Sequence, residues 1–188
     1  KGLSVLLRAL AQLRSEFPAL HLIVIGKLKE NGETEKELQA LNLQEIVQFK
    51  SGISNQQLVE AYAQASIAIV PSLYEGFGLP AAEAMACAVP LICSDGGALP
   101  EVVGKAARLV RAGNVDDLQT ALRELLINEE IRNRLGVDGR EHILQQLSWD
   151  CVGKKMEAYY QQVLQQQAQG ISIEDRKLSR EQVQNAYD

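Results

Sequence analysis

The sequence predicts an α/β fold in which helices flank a parallel sheet, and three observations support this class. Helical periodicity appears at once, because leucines recur at intervals of three and four residues from Leu3 to Leu13. Hydrophobic residues make up 46% of the 188 residues, which is enough for one full core. Short apolar runs of strand length alternate with the helical stretches, at 20–25, 46–49, 67–70, 89–93 and 107–110.

The helices are predicted from their periodicity together with caps and breakers at their ends. Because the chain opens on a helix, and α/β domains of this kind start on a strand, we expect one strand of the sheet to lie outside this sequence. The helices are predicted at 3–17, 34–41, 99–103, 114–128 and 129–147, and others begin after Ser54, near Leu79 and after Ser148.

The last helix, which Trp149 opens, carries an apolar stripe at helical spacing. We expect this stripe to face inward as part of the core rather than to form a cofactor site. Its members are Val152, Met156, Tyr159, Tyr160 and Val163.

Charge and cysteine content exclude several classes of partner. The 19 lysines and arginines stand against 24 acidic residues, and no basic run is long enough to indicate nucleic acid. Cys87, Cys93 and Cys151 are odd in number and lack metal-ligand spacing, so we expect free thiols in a reducing, cytoplasmic compartment. No apolar run approaches the roughly 20 residues that span a bilayer.

The stretch from Pro71 to Pro90 reads as a strand end, a glycine turn and a helix start. Gly76 and Gly78 allow a sharp turn and a close approach of a ligand, and a helix is predicted to begin near Leu79. The unpaired amides and positive dipole end of that helix favour an anion at the carboxyl edge of the sheet. Phosphate is the expected anion.

Two carboxylates, Glu75 and Glu83, flank this turn in a Glu-x7-Glu pattern. Because carboxylates accept hydrogen bonds, their partners near a phosphate site would be the hydroxyls of a sugar or a ribose. A glycosidase acid and nucleophile is a second interpretation, although nothing in the sequence indicates the cleft that it needs. No Asp-x-Asp pair on a predicted loop offers a divalent metal site, so we expect no metal.

The block PSLYEGFGLPAAEAMACAVPLICSDGGALPEVV, with FKSGIS before it and Lys1-Gly2 at the start, resembles the donor-binding half of retaining GT-B glycosyltransferases of group 1 (family 4). The resemblance implies a Rossmann-like parallel sheet with a helical C-terminus, the C-terminal half of a GT-B fold. It implies a nucleotide-sugar donor-binding domain over residues 1–170. Residues 171–188 would be a tail, for which helix and disorder both stay open.

The resemblance also implies a role for each site residue. Two residues would be catalytic: Glu75 at the hydroxyls of the transferred sugar and Lys1 at the diphosphate. Glu83 would hold the ribose, and the backbone at Ile53 would lie at the edge of the base. The remaining donor-binding positions are Gly76, Phe77, Gly78 and Leu79. The glycine pair at 96–97 resembles a loop beneath the donor phosphates, and a simple connecting turn is the alternative.

The function implied by the resemblance is transfer of a hexose, with retention, from a UDP- or GDP-linked donor to an unknown acceptor. No cofactor is expected besides this substrate. The acceptor would be bound by an N-terminal domain that this sequence lacks, through which peripheral membrane contact stays open, and the isolated chain would be inactive. A sugar-nucleotide epimerase, a phosphorylase-like enzyme and a non-catalytic nucleotide-sugar-binding module are the alternatives. A nicotinamide-binding domain is disfavoured, because Gly-x-Gly-x-x-Gly does not follow the first strand.

Overall fold

A computed structural model of the protein describes residues 2–168. Contacts divide the chain into a compact unit, Lys1–Gln145, and a second unit from Gln146 onward. The elements are α1 (Leu3–Leu13), β1 (Leu22–Ile25), α2 (Glu33–Ala40), β2 (Val47–Lys50), α3 (Asn55–Gln64), β3 (Ala68–Val70), α4 (Leu79–Ala86), β4 (Leu91–Ser94), α5 (Leu99–Val103), β5 (Arg108–Val110), α6 (Val115–Ile127), α7 (Glu129–Gln146) and α8 (Trp149–Ala168).

All strand pairs of the described chain are parallel, which confirms the predicted α/β class. The strands form two sheets rather than one: β1 pairs with β2, and β4 lies between β3 and β5. The three-stranded sheet places Ala68 opposite Leu91, and Ile92 opposite Arg108. Because parallel strands share one direction, the loops after β3 and β4 leave from the same edge of this sheet.

Helix α1 packs into two hydrophobic clusters. Its residues Leu6, Leu10 and Leu13 join β4 and α6 in the larger cluster, which also contains Ile92 and Leu122. On another side of α1, Leu7 is fully buried with Leu38, Leu43 and Val47 in a smaller cluster. The leucines of α1 therefore contribute to both hydrophobic clusters. Through them, α1 packs against residues of both sheets.

Two predicted helix caps are confirmed. Ser54 begins α3 with a capping box, in which its hydroxyl accepts from the backbone N–H of Gln57 at 3.2 Å. The side chain of Gln57 accepts in return from the Ser54 N–H at 2.8 Å. At the start of α8, the Ser148 hydroxyl accepts from the N–H of Cys151 at 3.3 Å. None of the described helices combines the length and the apolar character needed to cross a membrane.

The prediction that the apolar stripe of α8 faces inward was wrong for three of its five members. Met156, Tyr159 and Tyr160 are 45%, 48% and 56% exposed, whereas Val152 and Val163 are half-buried. Helical spacing identifies an apolar face without identifying what covers it, so periodicity alone could not establish burial. The predicted tail, residues 171–188, lies outside the described residues.

Candidate functional site

The loop from β3 to α4 has the geometry that the sequence predicts. Helix α4 begins at Leu79, after Gly78 in a left-handed conformation with φ of 91°. Only glycine fits there without displacement, because a Cβ on Gly78 would lie 2.5 Å from the Leu99 side chain of α5. The backbone N–H groups of Gly76 to Leu79 donate no hydrogen bond within the described part of the chain, so they remain available to a ligand.

Glu75 is held in place through both its backbone and its side chain. Its carbonyl accepts from the Ala98 N–H at 2.9 Å, and its backbone forms an isolated parallel bridge with Gly97. Its half-buried carboxylate accepts from the Ser72 hydroxyl at 3.1 Å. The buried Ser94 hydroxyl donates to the carbonyl of Ser72. Glu75 is therefore tied to the carboxyl ends of two adjacent strands.

The glycine pair at 96–97 brings the loop after β4 against the loop that carries Glu75. A Cβ on Gly96 would lie 2.6 Å from the carbonyl oxygen of Leu73. Gly97 has a φ of 71°, and a Cβ there would collide with the Glu75 carbonyl oxygen. The lack of side chains at this turn allows the two backbones to touch.

Glu83 lies in the second turn of α4 and is exposed. One of its carboxylate oxygens is 3.4 Å from the Tyr62 hydroxyl of α3, which also donates to the Pro80 carbonyl at 3.2 Å. Burial raises the pKa of Tyr62 to about 12, and the nearby charge of Glu83 adds to the shift. The phenol therefore keeps its proton at neutral pH, and that single proton is shared between the Pro80 carbonyl and the Glu83 carboxylate.

The other predicted site residues lie around this loop and at the loop after β2. Phe77 and Leu79 expose 46% and 63% of their surface, so they present apolar groups beside the free amides. Ile53 is half-buried and precedes the cap of α3, the helix that also carries Tyr62. Among the described residues, no hydrogen bond joins Ile53 to the carboxylate of Glu75 or Glu83.

Lys1 lies outside the described residues, and its neighbour Gly2 is the first residue whose surroundings the structure describes. Gly2 is buried, with a φ of 77°, and a Cβ there would collide with the carbonyl oxygen of Pro71. The backbone at Gly2 is therefore in contact with the first residue of the loop that carries Glu75.

Comparison with known proteins identifies the family, because residues 1–142 match the glycosyl transferases group 1. The chain belongs to this family. It is 43% identical over 167 residues to the MMP alpha-(1->4)-mannosyltransferase of Mycolicibacterium hassiacum, covering 87% of the chain and 40% of that protein. The group 1 chain thus spans less than half the length of this relative.

Two of the solved structures that resemble this chain illustrate its fold. Sucrose-phosphate synthase from Thermosynechococcus elongatus has a TM-score of 0.74 and 31% identity, over 87% of this chain and 42% of that one. HepE from Anabaena, in complex with UDP-glucose, has a TM-score of 0.75 over 86% of this chain and 45% of that one. At 19% identity, the second likeness shows the fold alone. Together with the parallel sheets, these structures confirm a Rossmann-like domain of GT-B type.

Sequence reasoning missed three hydroxyl-bearing residues that shape the site. The Ser72 and Tyr62 hydroxyls lie beside the two carboxylates, and the Ser94 hydroxyl donates to the backbone carbonyl of Ser72. The only signal for Ser72 was its position three residues before Glu75. Nothing in the sequence connects Tyr62 with Glu83, because the two residues lie on different helices.

The site's ionisable groups do not gather into a metal centre. Within residues 2–168, no group of three or more histidine, cysteine, aspartate or glutamate side chains could hold a metal ion. His142 of α7 lies with its Nε2 3.0 Å from the Val102 carbonyl oxygen, which is a structural contact. The groups offered to a ligand at this edge are therefore carboxylates, hydroxyls and backbone amides.

Proposed function

We propose that this chain is the donor-binding half of a retaining hexosyltransferase, which transfers a sugar from a UDP- or GDP-linked donor to a separate acceptor. The observation that carries the proposal is the pairing of a fixed Glu75 carboxylate with the free amides of Gly76 to Leu79. One of these groups suits sugar hydroxyls and the other suits a diphosphate.

The donor would lie along the loop between β3 and α4. Glu75 would accept hydrogen bonds from hydroxyls of the transferred sugar, and Glu83 would accept them from the ribose. Gly76, Phe77, Gly78 and Leu79 would surround the diphosphate, where the start of α4 adds its positive dipole end. Ile53, at the start of α3, would lie beside the base.

In the reaction, the bond between the anomeric carbon and the diphosphate oxygen breaks, and the acceptor oxygen bonds to that carbon on the same face. The acceptor hydroxyl passes its proton to the departing diphosphate oxygen on the same face, and the nucleoside diphosphate leaves with its remaining negative charge stabilised by the amides and by Lys1. These groups stabilise the leaving diphosphate without a metal ion in this proposal. Fixing the sugar through Glu75 would orient the anomeric carbon for attack.

Acceptor binding is assigned to a domain outside this chain, because the chain spans 40% of the mannosyltransferase that it resembles. The chain alone would bind the donor but would not transfer its sugar. The proposed location of the protein is the cytoplasm. Membrane contact would be peripheral and would depend on that other domain. An epimerase or a phosphorylase-like enzyme would bind a similar ligand, so analysis of the products of the full-length protein separates these reactions.

The experiment is calorimetric titration of the full-length protein with UDP, GDP and NAD, followed by the same titrations on Glu83→Ala and Glu75→Gln variants. We expect one nucleoside diphosphate to bind and Glu83→Ala to weaken it at least about tenfold, because a charged hydrogen-bond acceptor is lost. In the product analysis of the full-length protein, Glu75→Gln should abolish most of the sugar transfer. Glu45→Ala, which removes one exposed carboxylate before β2, is the matched control. Binding of NAD alone, or unimpaired transfer by Glu75→Gln, would contradict the proposal.

A further inference from the structure

The two carboxylates of the site each have a hydroxyl partner from a different element. We propose that Ser72 and Tyr62 are positioning residues: Ser72 orients Glu75 towards the sugar, and Tyr62 orients Glu83 towards the ribose. The two hydroxyls would thereby determine separately how tightly the two parts of the donor are bound. This inference rests on the proposed function, which assigns the sugar to Glu75 and the ribose to Glu83.

The Ser72 hydroxyl is enclosed and has Glu75 as its acceptor. Ser72 is 8% exposed, and its hydroxyl donates to the carboxylate at 3.1 Å. Its own carbonyl is occupied by Ser94, which is 1% exposed, so the backbone that carries the hydroxyl is fixed. Gly97 and Ala98 hold the backbone of Glu75, so the main remaining motion of this residue is rotation of its side chain. The hydrogen bond from the Ser72 hydroxyl restricts that rotation.

The Tyr62 hydroxyl restrains a carboxylate that would otherwise be surrounded by water. Glu83 is exposed on α4, and its side chain alone could adopt several solvated conformations. The single proton of the Tyr62 hydroxyl is shared between the Glu83 carboxylate, 3.4 Å away, and the Pro80 carbonyl, 3.2 Å away in the first turn of the same helix. The ring is thus anchored to α4 and presents a hydroxyl beside Glu83.

The two restraints act on different parts of the ligand, and this allows them to be measured separately. A nucleoside diphosphate carries the ribose but no transferred sugar, whereas its hexose conjugate carries both. Loss of the Tyr62 hydroxyl should therefore weaken both ligands by the same factor. Loss of the Ser72 hydroxyl should weaken only the hexose conjugate.

The test is calorimetric titration of full-length Ser72→Ala and Tyr62→Phe variants with UDP and UDP-glucose, and with GDP and GDP-mannose. We expect Tyr62→Phe to weaken both members of the bound pair about three- to tenfold, and Ser72→Ala to weaken only the sugar-bearing member by a similar factor. Each variant thus serves as a control for the other. Ser4→Ala is a remote control, because it removes a hydroxyl that donates to Glu37 at 2.6 Å outside this loop.

A Ser72→Ala variant that weakens UDP or GDP as much as the conjugate would overturn the assignment of Ser72, because such a loss indicates general distortion of the loop. Ser72→Thr keeps a hydroxyl and should restore most of the sugar-dependent affinity. A Tyr62→Phe change that weakens binding further in a Glu83→Ala background would overturn the assignment of Tyr62, since two residues acting through one contact are not additive.

Failure of the proposed function has a different signature. If Glu75→Gln and Glu83→Ala leave both affinities unchanged, the carboxylates themselves do not bind the donor. If these two variants lose affinity while Ser72→Ala and Tyr62→Phe do not, the proposed function stands and the positioning roles are wrong.

Discussion

The loops that follow β2 and β4 use the same backbone conformation in opposite surroundings. Gly52, after β2, has a φ of 66°, and an added Cβ would meet nothing within 4 Å. Gly97, after β4, has a φ of 71°, and an added Cβ would collide with the Glu75 carbonyl. A left-handed glycine is therefore not by itself a sign of a packed loop, whereas the close backbone contact at Gly97 distinguishes the loop that holds Glu75.

The strands beneath these loops differ in the same direction. All four residues of β4 are buried, whereas β1 has three half-buried residues and ends at Ile25, which is 46% exposed. The three-stranded sheet therefore offers the better-packed platform, and Glu75 is attached to it. Four predictions test this difference in packing between the two sheets, in order of decreasing expected effect.

The largest effect is expected at Cys93 in β4. Burial raises the pKa of its thiol to about 12 from an ordinary value of 9.0, so at pH 8 the reactive thiolate form of Cys93 is strongly suppressed. Labelling of the native protein with a thiol reagent at pH 8, followed by mass spectrometry, should modify the half-exposed Cys87 and Cys151 first. Equal rates at all three cysteines would show that β4 is not the protected strand described above.

The next effect is a loss of stability in Gly97→Ala. The left-handed conformation costs alanine about 1–2 kcal/mol, and the collision with Glu75 adds about 1–3 kcal/mol. Chemical denaturation should therefore show a fall of about 2–5 kcal/mol in the free energy of unfolding. Donor binding by any folded fraction should weaken as well, since the displaced atom belongs to Glu75.

Gly52→Ala is the matched change at the β2 loop, and its effect should be smaller. Only the conformational cost of about 1–2 kcal/mol applies, because the added Cβ meets open space. The same denaturation experiment measures it. Equal losses in the two variants would remove the distinction between an open and a packed glycine turn.

The smallest effect concerns the exposed ion pair that follows β5. The hydrogen bond from Arg111 holds the pKa of Asp117 below its ordinary value of 3.8. A carboxyl whose pKa is lowered by folding contributes stability above its unfolded pKa, and that contribution is lost as the pH falls towards the folded pKa. Asp117→Asn should slightly flatten the fall of melting temperature between about pH 5 and 2. Arg111→Gln should flatten it in the same direction but less, because the backbone N–H at position 111 and the charge of Arg108 still act on Asp117. No flattening in Arg111→Gln would contradict the pairing.

The sequence predicted the parts of the site that depend on local backbone chemistry. A glycine turn followed by a strong helix former predicts where α4 begins, and the structure starts that helix at Leu79. The spacing of Glu75 and Glu83 across the turn follows directly from the sequence. The assignment of these carboxylates to sugar and ribose stays a prediction.

The sequence did not predict contacts that depend on tertiary structure. Tyr62 and Glu83 are 21 residues apart, and Ser94 and Ser72 are 22 apart, so only the folded chain brings them together. The division into two sheets was equally hidden, because apolar runs indicate strands without indicating their neighbours. The burial of the apolar stripe of α8 was predicted wrongly for a related reason, because an apolar helix face in the sequence does not show which residues pack against it.

The bridge between Glu75 and Gly97 also restricts how the length of these loops could vary. One residue inserted between Asp95 and Ala98 adds up to about 3.8 Å of chain at the point where Gly97 meets Glu75, and would shift that carboxylate. The loop between β1 and α2, residues 26–32, has no such link to Glu75 among the described hydrogen bonds. Insertions should therefore be tolerated after β1 and should abolish donor binding after β4. The loop after β1 is thus the place where a tag or a reporter can be inserted into the domain.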